Sequence, residues 1–304
     1  MNDDVRRVLV VGATGMLGAP VARRLKAEGF AVRILSRSPA KAAQMFGSGF
    51  EIQAGDVEDP ASLGPALEGC AGVHINLSGG PSAADYERIE HQGTKNIIAA
   101  ASQAQVEQIT YLSAYTIQPK NLHPGASAAK WGAEQALRAS GIPSVIFRAT
   151  WFMESLPLFV QGNRALLLGK QPHPLHWLAA ADYARMVARS YRIPAASTRA
   201  LYIYGPQPMT MGQALAQYIR TLPSPIPITR MPIWLMDWLG RLTFNPAWRS
   251  VAELMAYHNL IGEEGVPDEA NALLGAPTTT LEQWCAAQSP TPPASQTIAI
   301  SEKV

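Results

Sequence analysis

The chain is poor in cysteine. Of its 304 residues only Cys70 and Cys285 carry thiols, and neither sits in a C-x-x-C or Cys/His cluster, which argues against a disulfide framework and a structural zinc site. Charge is also scarce. Charged residues make up 16% of the chain, and 25 Lys plus Arg against 23 Asp plus Glu leave a formal charge of +2. A balance this close to neutral gives no electrostatic footing for nucleic acid or anionic lipid. Long apolar runs are missing as well: Val8–Val11 is too short for a signal-peptide core, and no other run reaches the roughly 20 residues of a spanning helix. These absences set the expectation of a cytoplasmic protein with no nucleic-acid partner, no integral membrane segment and no metal centre.

What is present is a rhythm. Over residues 1–150 short β-branched runs alternate with longer Ala-rich segments of helical period, the pattern of a parallel sheet covered on both faces by crossover helices. The spacing predicts strands at Arg7–Val11, Ala31–Ser36, Phe50–Gln53, Gly72–Leu77, Gln108–Leu112 and Ser144–Arg148. Helices are expected at Met16–Glu28, Pro39–Met45, Ala61–Leu67, Ala83–Ala104 and Ala126–Ala139. The fold class is therefore α/β, a Rossmann-like doubly wound sheet. After residue 150 proline and tryptophan become frequent and strands scarce, apart from Ala200–Tyr204, which is expected to return to the sheet edge. Helices are expected at Ala181–Tyr191, Met209–Leu222 and Ile233–Leu242. Residues 151–287 thus read as a small, mostly helical substrate or lid region, and the Pro/Ser/Thr-rich stretch 288–304 as a disordered tail.

The first strand runs into Gly12, Ala13, Thr14, Gly15, Met16, Leu17 and Gly18 and then a helix. Three glycines at every third position have a physical use there: a tight turn, a missing Cβ that would block a pyrophosphate, and close packing of helix on strand. The free N–H groups of the helix then face the anion. The first 150 residues are read as a dinucleotide-binding domain.

The turn G-A-T-G-M-L-G resembles that of extended and atypical short-chain dehydrogenase/reductases, and further motifs resemble their NmrA-like and complex-I-subunit-like branch. These are S-R-S-P-A-K at Ser36–Lys41, A-G-D-V-E-D-P at Ala54–Pro60, G-T-K-N-I at Gly93–Ile97, Y-L-S-A at Tyr111–Ala114, I-F-R-A-T-W-F-M-E-S at Ile146–Ser155 and Y-G-P-Q-P-M-T at Tyr204–Thr210. The resemblance implies a nicotinamide cofactor. It assigns the turn residues Thr14, Met16 and Leu17 to the diphosphate, Asp56 with Val57 to the adenine, and Leu77, Ser78 and Gly79 to a close backbone approach. Thr150, Trp151 and Phe152 would flank the nicotinamide and substrate space.

The end of the second strand chooses between cofactors, because an acidic residue there accepts from a ribose hydroxyl and repels a 2'-phosphate. No acid stands there. Arg37, between Ser36 and Ser38 and one turn before Lys41, offers cationic and hydroxyl donors instead. NADP is favoured, with NAD as the alternative.

In characterised members a Tyr four positions before a Lys donates the proton, the Lys tunes it, and an upstream Ser binds the substrate oxygen. Ser113 and Lys130 match the Ser and Lys, but the Tyr position is Ala126. Lys130 itself, Tyr115 or His123 are the candidate replacements, while the plain alternative for Lys130 is a helical ion pair with Glu134. The leading expectation is an NADPH-dependent oxidoreductase for a small, fairly apolar substrate. The competing ones are a non-catalytic redox sensor or assembly factor and, third, a sugar-nucleotide epimerase-like enzyme, which also needs a base where Ala126 stands. The apolar segment Met231–Leu242 reads as a lid or a homodimer-facing helix, with peripheral membrane contact the less favoured reading.

Overall fold

The computed structural model describes residues 6–80, 82–123, 125–193 and 196–288. Of the tail expected over 288–304, all but Gln288 lies outside the described residues. The first half runs β1 (Arg7–Val11), α1 (Gly18–Ala27), β2 (Ala31–Ser36), α2 (Pro39–Phe46), β3 (Glu51–Ala54), α3 (Pro60–Leu67), β4 (Gly72–Ile75) and α4 (Ala83–Asp85). A π-helical stretch, Tyr86–Gln92, then leads into α5 (Gly93–Gln103), β5 (Gln108–Ala114), α6 (Ala126–Ala139) and β6 (Ser144–Ala149). The second half runs β7 (Val160–Gln161), β8 (Arg164–Leu168), β9 (Leu175–His176), α7 (Ala180–Ser190), β10 (Arg199–Ile203), β11 (Pro208–Met209) and α8 (Met211–Ile219). It closes with β12 (Ile228–Met231), α9 (Ile233–Leu242), α10 (Pro246–His258), α11 (Asp268–Leu274) and α12 (Leu281–Ala287).

Seven strands form one sheet in the order β10-β6-β5-β4-β1-β2-β3, and every pairing in it is parallel. The order reverses between β1 and β4, which opens a crevice beyond their carboxyl ends. Such strands are covered on both faces and so read as continuous apolar runs; β1 is buried from Val8 to Val11. One apolar cluster lies under α1, α2 and α7, another under α3, α5 and α6. A third gathers Trp151, Trp177 and Trp284 with residues of α8 and α10, and packs the C-terminal half against the sheet.

Three local features depart from the sequence reading. The expected helix Ala83–Ala104 is broken by the π-helical stretch, whose extra residue per turn rotates the side chains that follow. Strand content after residue 150 is higher than expected: β12 pairs parallel and β7 antiparallel with β8, and β11 pairs with β9. The segment Arg164–Leu168, R-A-L-L-L, has helix-forming composition, and its strand is fixed by the short neighbouring strand β7 on one side and by β12, more than sixty positions away, on the other. Helices α10, α11 and α12 were also not anticipated. A signal existed for α10, since Asn245 caps it by accepting from the N–H groups of Ala247 and Trp248, with Pro246 in its first turn.

Candidate functional site

Gly12 follows β1 with φ of +79°, and a Cβ there would lie 1.9 Å from the carbonyl oxygen of Asn76, the residue after β4. A Cβ on Gly18 would come within 2.2 Å of the Gly12 oxygen. Both positions are closed to any side chain. Gly15 differs: a Cβ there would meet only the Gly12 oxygen, at 3.3 Å, and otherwise point into open space. α1 begins without a side-chain cap and without an acidic residue in its first turn. The Ala19 N–H is taken by the Gly15 carbonyl at 3.1 Å, and with no side-chain cap the positive end of the helix is left to an anion. These residues fit a dinucleotide diphosphate: room where a Cβ is missing, and an uncapped helix start beside it.

Farther along the crevice, the Ser36 hydroxyl braces the loop by accepting from the Ser38 N–H at 3.1 Å. Arg37, Ser38 and Lys41 are exposed, and neither Arg37 nor Lys41 has an ion pair among the described residues. Asp56 accepts through Oδ1 from the Glu58 N–H at 3.1 Å, which leaves its second oxygen for an external donor. Val57 is buried and packs where a Cβ on Gly93 would sit. Gly79 makes way for an aromatic ring, since a Cβ would fall 2.2 Å from Tyr86. Leu77 and Ser78 line the cavity directly.

That cavity encloses about 190 Å³ beyond the ends of β1, β4, β5 and β6, and reaches from Met16 and Leu17 to Ala126, Lys130 and the aromatic residues Tyr115, Trp151, Phe152 and Tyr257. Lys130 does not pair with Glu134. Its Nζ donates to the carboxylate of Glu90 and, at 3.2 Å, to the Leu112 carbonyl, and it lies 5.6 Å from the Tyr111 ring centre. Glu90 is fully buried in the π-helical stretch, and its Oε2 has no hydrogen-bond partner among the described residues. Burial pushes its carboxyl above the usual range, against the pull of Lys130. α6 reaches the π-helical stretch only because residue 132 is glycine: a Cβ there would lie 2.7 Å from the His91 ring. Sequence reasoning missed Glu90, because forty positions separate it from Lys130 and an uninterrupted α-helix would have turned it elsewhere.

The remaining candidates are engaged in different ways. Ser113 donates to Glu134 at 2.7 Å, and Glu134 is also held by Arg148 at 2.7 and 3.1 Å. Tyr115, 2% exposed, is 2.8 Å from His258 Nδ1 on α10, and Trp151 Nε1 donates to the same nitrogen at 3.4 Å. Since an indole N–H only donates, Nδ1 is the acceptor and the Tyr115 hydroxyl spends its proton on it. His123 borders the cavity with its ring edge-on to Tyr257 at 4.5 Å. The Thr150 hydroxyl donates to Glu263, which also binds His176 Nδ1 at 2.5 Å. Phe152 is a buried wall residue, and Trp177 belongs to the core, donating to the Met209 carbonyl at 3.1 Å.

Burial lowers the pKa of His258 from 6.5 to about 3, with a smaller push from His123. The imidazole stays neutral in the folded chain while the unfolded chain protonates near its ordinary value. Folding then loses stability as pH falls from 6.5 toward 3. His74, buried in β4, is lowered to about 3 for the same reason and acts in the same sense; Glu90 and Glu154, raised by burial, act in the opposite one. Replacement isolates the contribution of His258. His258→Gln should remove roughly 2 kcal/mol of the stability difference between pH 6.5 and pH 5, read by denaturant titration at the two pH values. An unchanged difference would show that His258 is not held neutral.

An all-parallel sheet with a glycine-rich turn at its switch point, and a cavity running from that turn, defines a dinucleotide-binding α/β protein. The chain belongs to the NAD(P)H-binding family, whose model matches residues 12–188, and its fold is that of the atypical short-chain dehydrogenase/reductase and NmrA-like proteins. It is 23% identical over 263 residues to the photosystem II assembly factor Ycf39 of Trieres chinensis, covering 84% of this chain and 82% of that protein. It is 29% identical over 222 residues to (4-alkanoyl-5-oxo-2,5-dihydrofuran-3-yl)methyl phosphate reductase of Streptomyces griseus, covering 72% and 75%. Among solved structures, the NADPH-dependent quinone oxidoreductase QOR2 of Escherichia coli in complex with NADPH superposes with a TM-score of 0.69 at 24% identity, over 92% of this chain and 98% of that one.

Proposed function

We propose that the protein is an NADPH-dependent oxidoreductase for a small, apolar, conjugated acceptor. Residues 1–150 hold the cofactor and 151–287 close over the substrate. The observation that carries this reading is the single cavity joining the glycine turn to Lys130 and an aromatic wall. Of the similar proteins, one is named a (4-alkanoyl-5-oxo-2,5-dihydrofuran-3-yl)methyl phosphate reductase and another an NADPH-dependent quinone oxidoreductase. When bound, the reduced cofactor supplies a hydride to a substrate carbon.

The chain's own residues supply the rest. Gly12, Gly15 and Gly18 seat the diphosphate on the start of α1, and Arg37 with Lys41 receives the 2'-phosphate. Tyr115, Trp151 and Phe152 exclude water and orient a flat substrate. The reaction needs one proton at the substrate oxygen to balance the hydride at carbon. Lys130 delivers it: its Nζ reaches the cavity and passes one proton to the substrate oxygen, while Glu90, accepting from Nζ, holds the amine in place until it takes a proton from water. Ala126, in place of a tyrosine, leaves room for the substrate beside Nζ. The same vacancy takes away a base for sugar-nucleotide epimerisation.

Titration with NADPH and NADH, followed by cofactor oxidation with quinones and conjugated enones, tests this reading. NADPH should bind and be consumed with a reduced product. Binding without turnover of any acceptor would replace the reductase with a cofactor-binding sensor or assembly factor, the kind of role named for the relative in Trieres chinensis.

A further inference from the structure

We propose that the α9–α10 hairpin docks on an anionic lipid bilayer. This inference rests on the hairpin's own surface and stands whether or not the cavity turns over a substrate. No helix among the described residues is long and apolar enough to cross a membrane, so the contact is peripheral. The overall charge of the chain gave no reason to expect it; the placement of a few side chains does.

Among the large apolar side chains left exposed, Trp234 (69%), Trp238 (53%), Leu242 (60%), Phe244 (92%) and Leu260 (76%) all belong to this hairpin or its ends. Trp234, Trp238 and Leu242 recur every fourth residue and so form one stripe along α9. α10 folds back on α9, and residue 169 lies where the start of α9 meets the end of α10: a Cβ there would be 2.7 Å from Ile233 and 3.1 Å from Asn259. Leu260 therefore lies at the Trp234 end of the hairpin, and Phe244 at its turn. Phe244 is held at φ of +51°, a conformation disfavoured for a bulky side chain, with its ring almost wholly in water. That conformation closes α9, where the Phe244 N–H donates to the Arg241 carbonyl at 3.3 Å and the Asn245 N–H to the Gly240 carbonyl at 2.9 Å, and it leaves the ring outside.

The charges around the stripe select the occupant. Arg241 on α9 and Arg249 on α10 are exposed, as is Arg230 shortly before α9. Lys170 joins them at the Leu260 end, where its N–H donates to Asn259 at 3.0 Å. Asp237, the acid on α9, is shared by Arg241 at 2.8 Å and Arg249 at 3.9 Å. Glu253 lines the cavity on the other side of α10. Indole rings with flanking arginines suit the bilayer interface, where the rings enter the headgroup layer and the guanidinium groups meet lipid phosphates. A second copy fits less well, because a two-fold contact through this stripe would bring two sets of these arginines into one interface.

Flotation of the full chain with phosphatidylcholine vesicles, and with vesicles that also contain phosphatidylglycerol, tests the proposal. The chain should float with the anionic vesicles, release at high salt, and lose about tenfold or more of its partitioning in the Trp234→Ser/Trp238→Ser variant. Unchanged NADPH binding and melting temperature establish that this variant is folded. The proposal is overturned by an absence of flotation, by equal flotation with neutral and anionic vesicles, or by undiminished flotation of the folded variant. A solution dimer that the same substitutions dissociate, without vesicle binding, would assign the stripe to a second copy instead.

Discussion

Arg37→Asp is expected to weaken NADPH binding about a hundredfold while leaving NADH binding within a few fold, because a charge-assisted contact worth about 1.5–3 kcal/mol is replaced by repulsion from the 2'-phosphate. The expectation rests on position. Arg37 is the first residue after β2, exposed and without an ion pair among the described residues. Its guanidinium is therefore not already spent on a carboxylate, whereas Arg33 on the same strand is committed to Glu51 at 2.8 Å. Isothermal titration with each cofactor separates the outcomes. Equal losses for NADPH and NADH would mean that the substitution disturbs the loop and that Arg37 reads no phosphate.

The second large effect is expected at Lys130. Lys130→Met should lower kcat by roughly 10²–10³ at saturating NADPH, the range of a lost general acid. Glu90→Gln is the more discriminating variant, since it keeps the shape of the buried side chain and removes its charge. It should reduce kcat less, because Nζ keeps the Leu112 carbonyl and loses only the carboxylate that receives its hydrogen bond. KM for the acceptor should change little. A Lys130→Met enzyme with unchanged kcat would exclude the lysine as the proton source and direct attention to the Tyr115–His258 pair. If Glu90→Gln only lowered the melting temperature, Glu90 would be a structural partner of Lys130 and no more.

The parts of this protein that could be read along the chain are those fixed by local chemistry. The βα rhythm of residues 1–150 is set by runs of five to ten side chains, and the strands β1 and β2 and the helix α6 fall at the residues expected. The glycine turn is equally local, since a positive φ at Gly12 and a missing Cβ at Gly15 are demands on single residues. The absence of a tyrosine at residue 126 needed no structure to be seen. Reading became harder after residue 150, where the strands of R-A-L-L-L type depend on distant pairing and the tryptophans serve a second core as much as a site.

The sequence by itself determined the sheet, the cofactor turn and the want of a standard acid, because each follows from backbone sterics and short-range periodicity. The tertiary structure decided which side chains face one another. A π-helical turn brings Glu90 to Lys130 across forty positions, and α10 carries His258 to Tyr115 across 143. It also decided which apolar residues remain in water, leaving Trp234 and Trp238 outside while Trp151 and Trp177 are enclosed. Contacts between distant segments depend on how whole layers stack, and no local propensity encodes that stacking.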